Sequence, residues 1–177
     1  ALTDSLAVVV TDRFGNPIAG QVVQWSVPGG QGSVSALADT TGADGRAAVV
    51  RTLGPTAGPQ TATATRAGLK GNPVTFTSTA SPGGASKLVK LYGDTTVSAH
   101  QVAPAGQRLT DSLVVQTQDA TGNGVAGQSV VWTVTSGGGS VSSPSSITDA
   151  QGNAFLFLTR GTTVWHNTGR STSPGLT

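Results

Sequence analysis

The chain has 177 residues, enough for one large domain or two small ones that each bury a modest core. Charged residues make up 10%, against about 25% in an ordinary globular domain, while Gly, Thr, Ser, Val and Ala dominate, a mixture that favours β structure broken by tight turns. The net charge of +2 is scattered along the chain, so neither nucleic acid nor an anionic membrane is an expected partner, and the absence of Cys excludes disulfides, thiolate nucleophiles and Cys-ligated metals.

In chain order, period-two alternation of apolar residues predicts strands over 5–12, 21–27, a short one near 32–36, then 45–52, 60–67 and 73–80. Turn signals separate them: FGNPIAG at 14–20, GADG at 42–45 and GPTAGP at 54–59. No segment has the three-and-four apolar spacing of an amphipathic helix, so the expected class is all-β, a sandwich or barrel. No run approaches the roughly 18 apolar residues of a membrane span, and no membrane insertion is expected. The chain begins at Ala1 and has no Met, which is expected of a processed or excised piece.

Residues 2–54 align with 109–161 without a gap, and about half of the positions are identical. LTDSLAVVVTDRFGNPIAGQ returns as LTDSLVVQTQDATGNGVAGQ, and TGADGRAAV as TDAQGNAFL. The two copies report which residues the fold needs. Val23, Trp25 and Val27 recur as Val130, Trp132 and Val134, whereas Val22, Gln24 and Ser26 become Ser129, Val131 and Thr133. Leu6 recurs as Leu113 while Val9 becomes Gln116. Retention at alternate positions is what a strand with one buried face produces, so these eight retained residues are expected in the core.

The string D-x-x-GNP-[IV]-AG-Q-x-V-x-W-x-V, followed by G-x-GSV, TDA-x-G-x-A and the Thr-alternating tail TLGPTAGPQTATAT with GNPVTFTSTA, resembles the bacterial immunoglobulin-like repeats of the Big-1, invasin and intimin type. The residues that carry the resemblance are Asp12, Gly15, Asn16, Pro17, Gly20, Trp25 and Gly45, and in the second copy Asp119, Gly122, Asn123, Gly127, Trp132, Asp149 and Gly152. The resemblance implies two tandem immunoglobulin-like Greek-key β-sandwich domains, about 1–82 and 83–177, joined by SPGGAS at 81–86, with a Trp of each packed between its sheets. It also implies a structural, non-catalytic module of an extracellular or cell-surface bacterial protein, as stalk, spacer, fibre or adhesive tip, without deciding among these.

The copies depart from that pattern at their ends. Copy one begins at LTDSL, whereas copy two is preceded by KLVKLYGDTTVSAHQVAPAGQR at 87–108, which reads as the family's first strand, so copy one is expected to lack its opening strand. Copy two stops matching after Thr159 and is expected to lack the final pair of strands, with TTVWH at 162–166 as one short substitute. Open sheet edges invite strand addition from another chain, and the apolar run AFLFL at 154–158 suggests a second buried surface. Homo-oligomer or fibre formation through open edges is therefore the expected partnership, with Phe155, Phe157 and Trp165 as candidate self-association residues.

Chemistry is sparse. PGGQG and SGGGS lack the Lys and Ser/Thr of a phosphate-binding loop and no helix follows them, so they read as inter-strand turns. The Asp residues lie at turns, where Asx capping is expected. The junction around Asp94 and Asp111 is where calcium would be sought, but no Asp-x-Asp-x-Asp-Gly cluster exists, and neither a metal nor any other cofactor is expected. His100 and His166 have no paired carboxylates or nucleophile elbow beside them, and neither catalysis nor a small-molecule site is expected.

Overall fold

The computed structural model describes residues 5–93, 101–162 and 168–176, all of them in strands, turns and loops without a helix. The chain divides into two compact units, Ala1–Ser81 and Pro82–Thr177. In unit 1 the strands are β1 (Ser5–Val9), β2 (Val22–Ser26), β3 (Gly32–Val34), β4 (Ala38–Thr40), β5 (Arg46–Leu53), β6 (Gly58–Thr65) and β7 (Val74–Ala80). They form an antiparallel β1-β5-β3 sheet and an antiparallel β4-β2-β6-β7 sheet. Strand β4 was not among the sequence expectations, because three residues, ADT, are too few to show alternation.

Alternation puts one face of each sheet inside. Val23 and Trp25 from one sheet meet Ala47 and Val49 from the other, with Ala64, Leu6, Val8 and Phe76 closing the cluster. The Trp25 and Phe76 rings lie 5.8 Å apart between centroids at an interplanar angle of 32°, a tilted aromatic pair worth about 1 kcal/mol beyond its buried area.

Unit 2 contains β8 (Lys87–Tyr92), β9 (Leu113–Gln118), β10 (Ser129–Ser136), β11 (Ser140–Val141), β12 (Ser145–Ile147), β13 (Asn153–Leu156), β14 (Leu158–Thr159) and β15 (Thr168–Thr172). Strand β9 runs between β13 and β8, β10 between β12 and β15, and β11 pairs β14. Val115, Val130, Trp132, Ala154 and Leu156 form its main core, and Ala103, Leu109 and Leu158 a second cluster beside it.

The end of copy two differs from its expectation. Strand β15 pairs with β10 so that Trp132 faces Ser171 and Thr133 faces Arg170, just as Trp25 faces Ala64 and Ser26 faces Thr63 in unit 1. TGRST at 168–172 thus stands where TATAT stands at 61–65, at the same distance from each Trp. The first strand of the final pair is present; its letters changed, but its count did not. Of TTVWH, residues 163–166 lie outside the described residues.

Shared turn chemistry explains which polar residues the copies keep. Asp12 Oδ1 accepts the Phe14 and Asn16 N–H groups at 2.8 and 2.9 Å, and Asp119 Oδ1 accepts those of Thr121 and Asn123, both at 2.9 Å. Thr41 Oγ1 donates to the Ile18 carbonyl at 2.7 Å, and Thr148 Oγ1 to that of Val125 at 2.8 Å. Each pins the loop before a Trp strand.

Candidate functional site

Four of the eight residues expected in the core, Val23, Trp25, Val130 and Trp132, are buried. Leu6 and Leu113 are half-buried at the margins of the clusters, and Val134 is half-buried against Leu158 and its neighbours. Val27 is half-buried one residue past the end of β2. Phe155 points outward from β13, 60% exposed, and Phe157 is half-buried with the Arg108 guanidinium 4.5 Å from its ring centre. The structure does not bring these two rings into one patch with Trp165, which, like Asp94, His100 and His166, lies outside the described residues.

The glycine tails turn and also admit another backbone. Gly30 and Gly137 have φ of +80° and +85°, and a Cβ on Gly54 or Gly161 would overlap the carbonyl oxygen of Gly30 or Gly137. The same close approach occurs in both units and leaves no room for an anion. Among the described residues, no three His, Cys, Asp or Glu side chains gather where a metal ion could bind. The Asp119 carboxyl is held well below its ordinary value of 3.8, chiefly by the Asn123 side-chain amide, with Gly83 N–H and the Thr121 hydroxyl also donating. Asp12 is lowered for the same reason by Asn16.

Two places distinguish the units. The first is the inward position that follows Ala47 and Val49 on β5, and Ala154 and Leu156 in unit 2. Unit 1 puts Arg51 there, 1% exposed, with Nη2 donating to the Gln31 carbonyl at 3.0 Å and with Nε and Nη1 unpartnered. Desolvation pulls the Arg51 pKa down. Unit 2 puts Leu158 there, under Ala103 and Leu109.

The second is the flank of the Trp. In unit 1, β7 pairs with β6 over seven registered residues and sets Phe76 opposite Ala62, which is buried. In unit 2, β15 is paired with β10 alone among the described residues, and a groove of about 520 Å³ opens beside it. Leu113, Val115 and Trp132 line its interior, while Gly169, Ser171 and the cationic Arg170 line it along β15. Gly169, the counterpart of Ala62, is exposed. No carboxylate or imidazole is among the described residues lining the groove, so it offers packing, a cation and a free strand edge but no acid–base pair. Sequence reasoning sought open edges but missed this groove, because its walls come from strands far apart in the chain.

Residues 2–79 match the family described as bacterial Ig-like domain (group 1). Among solved structures, the chain is similar to InvD of Yersinia pseudotuberculosis, at 20% identity and a TM-score of 0.61, covering 97% of this chain and 48% of that one. It is also similar to FdeC, an adhesin of Escherichia coli, at 22% identity and a TM-score of 0.56, covering 97% of this chain and 54% of that one. The chain therefore spans about half the length of each of these proteins. No curated protein matches it. Both likenesses concern the fold, and with the family match over 2–79 and the internal repeat over 109–161 they identify the chain as carrying bacterial Ig-like domains of group 1, of the kind found in invasin- and intimin-type surface proteins.

Proposed function

We propose that the chain is a non-catalytic structural module, a stalk or spacer, of an extracellular bacterial surface protein. The observation that carries this reading is what the two copies keep. The retained residues are the Trp-centred cores, the Asp–Asn and Thr turn locks and the glycines of close backbone approach. Such residues maintain a sandwich; they do not contact a ligand. Antiparallel ladders around a packed core resist extension, which is the mechanical task of a spacer. Pulling the chain by its ends in a force spectrometer should give discrete unfolding peaks, and smooth extension like that of an unfolded coil would overturn the reading.

Self-assembly into a fibre by strand donation between copies is the second reading. Strands β1 and β15, each bonded along one edge only among the described residues, favour it. Electron microscopy and size-exclusion chromatography separate the two readings: filaments support assembly, and a monodisperse monomer at high concentration sinks it. An adhesive role through end loops is a third reading, carried by the likeness to the adhesin FdeC, and fails if the purified chain does not bind host cells.

A further inference from the structure

The groove beside Trp132 and the free edge of β15 form one continuous surface, and unit 1 of the same chain shows what covers such a surface. There β7 lies antiparallel on β6, with Phe76 opposite Ala62 and its ring against the Trp. By the shared register, a strand on β15 would place its aromatic residue opposite Gly169 and the preceding residue opposite Arg170, as Thr75 stands opposite Thr63. Gly169 has no side chain to obstruct the ring. Arg170 makes no hydrogen bond or ion pair with any described residue, and it is exposed. An opposite charge directly across an antiparallel pair is favourable and a like charge is not.

We propose that β15 and its groove are a docking site for an extended strand of a separate polypeptide, carrying an acidic residue followed by an aromatic one. The strand pairs antiparallel with β15, its acid opposite Arg170 and its ring in the groove against Trp132. Main-chain hydrogen bonds to a sheet edge supply affinity and the alternate side chains supply specificity. At about 520 Å³ the groove is of the size that binding pockets have, roughly 300–1,000 Å³, and it admits the ring together with the small inward residues that follow it. A second copy of the chain is a poorer occupant on two counts. Its β7 is already paired along seven residues and carries Thr75 rather than an acid, and two β15 edges brought together would oppose their Arg170 cations. The inference rests on the groove and not on the spacer reading, so either can fail while the other stands.

The test uses the full chain and three synthetic peptides: residues 73–80 as they stand, the same with Thr75→Glu, and that peptide with Phe76→Ala added. Binding is followed by amide chemical shifts and titration calorimetry. The Thr75→Glu peptide should bind saturably, with shifts at 168–172 and the Trp132 indole, about fivefold tighter than the unaltered peptide. Adding Phe76→Ala should weaken binding roughly 30-fold. Arg170→Ala in the chain should erase the gain from the glutamate while leaving the far-ultraviolet spectrum unchanged. Absence of saturable binding, equal binding without the ring, or shifts centred on β1 would each overturn the proposal. So would β15 amides already protected from exchange in the free monomer, which would mean that the chain covers its own edge, or protection that grows with chain concentration, which would make a second copy the occupant.

Discussion

Trp25 and Trp132 occupy the same register in the two units, opposite Ala64 and Ser171, yet the space beside them is used differently. Phe76 closes the flank of Trp25, while Trp132 borders an open groove. Their indole nitrogens differ too: Trp132 Nε1 donates to Ser146 Oγ at 2.9 Å, and Trp25 Nε1 has no partner, because Asp39 replaces that serine and spends its carboxylate on the Ala48 and Thr40 amides. The inward position after Val49 or Leu156 diverges as well, with a polar end around Arg51 and Gln60 in one unit and an apolar cluster around Leu158 in the other. One framework thus tolerates opposite solutions at two places without changing strand register.

Exchanging residues between the units tests how far that tolerance extends. The largest effect is expected from Leu158→Arg, which sets an unpaired guanidinium among Ala103 and Leu109 and should cost about 4 kcal/mol. Hydrogen exchange should then reveal loss of protection in β9 and β10 while β2 and β6 keep theirs; full protection in both units would mean that the apolar cluster is not needed. Phe76→Ala should destabilise unit 1 by about 2–3 kcal/mol, the ring being only partly buried, and should red-shift Trp25 emission as a groove opens there. An unchanged urea midpoint would show that β7 holds through its backbone alone.

A smaller and opposite effect is expected from Arg51→Leu, which installs the residue of the second copy. Removing a buried cation with two unpartnered nitrogens should stabilise unit 1 by about 1 kcal/mol despite the lost bond to Gln31, read as a higher melting temperature. A fall would reveal that the guanidinium is satisfied in solution. The smallest effect concerns acid. The folded-state pKa of Asp119 is depressed, so its contribution is complete above the ordinary 3.8 and is lost as pH falls through and below that value. Asp119→Asn should therefore destabilise at neutral pH, with the gap from the parent closing toward about pH 2. A gap that stays constant with pH would assign the effect to geometry instead of charge.

The strands of copy one were legible because burial on one face leaves a period of two in the letters, and comparison of the copies marked Val23, Trp25, Val130 and Trp132. Glycines 54 and 161 were harder to interpret: their reason is a backbone passing close by, which composition does not encode. Strand β15 was missed because TGRST lacks the alternation of TATAT; an exposed flank removes the need for inward bulk at Gly169. Arg51 was invisible for the converse reason, since a charged letter in a strand reads as solvent-facing. The groove could not be read from any single segment, being the difference between what β7 covers and what β15 leaves uncovered.

The equal spacing of Trp25 to β6 and Trp132 to β15 has a consequence at the level of inheritance. Tandem copies of a gene segment recombine, and a crossover at equivalent points joins the head of one copy to the tail of the other. Because the strands keep their count even where the letters diverge, such a hybrid would retain every inward residue on the inward face, whereas one inserted residue ahead of β15 would turn that strand inside out. Conserved length acts as a reading frame for the sheet, so flank and end chemistry can be shuffled between repeats while the sandwich continues to close.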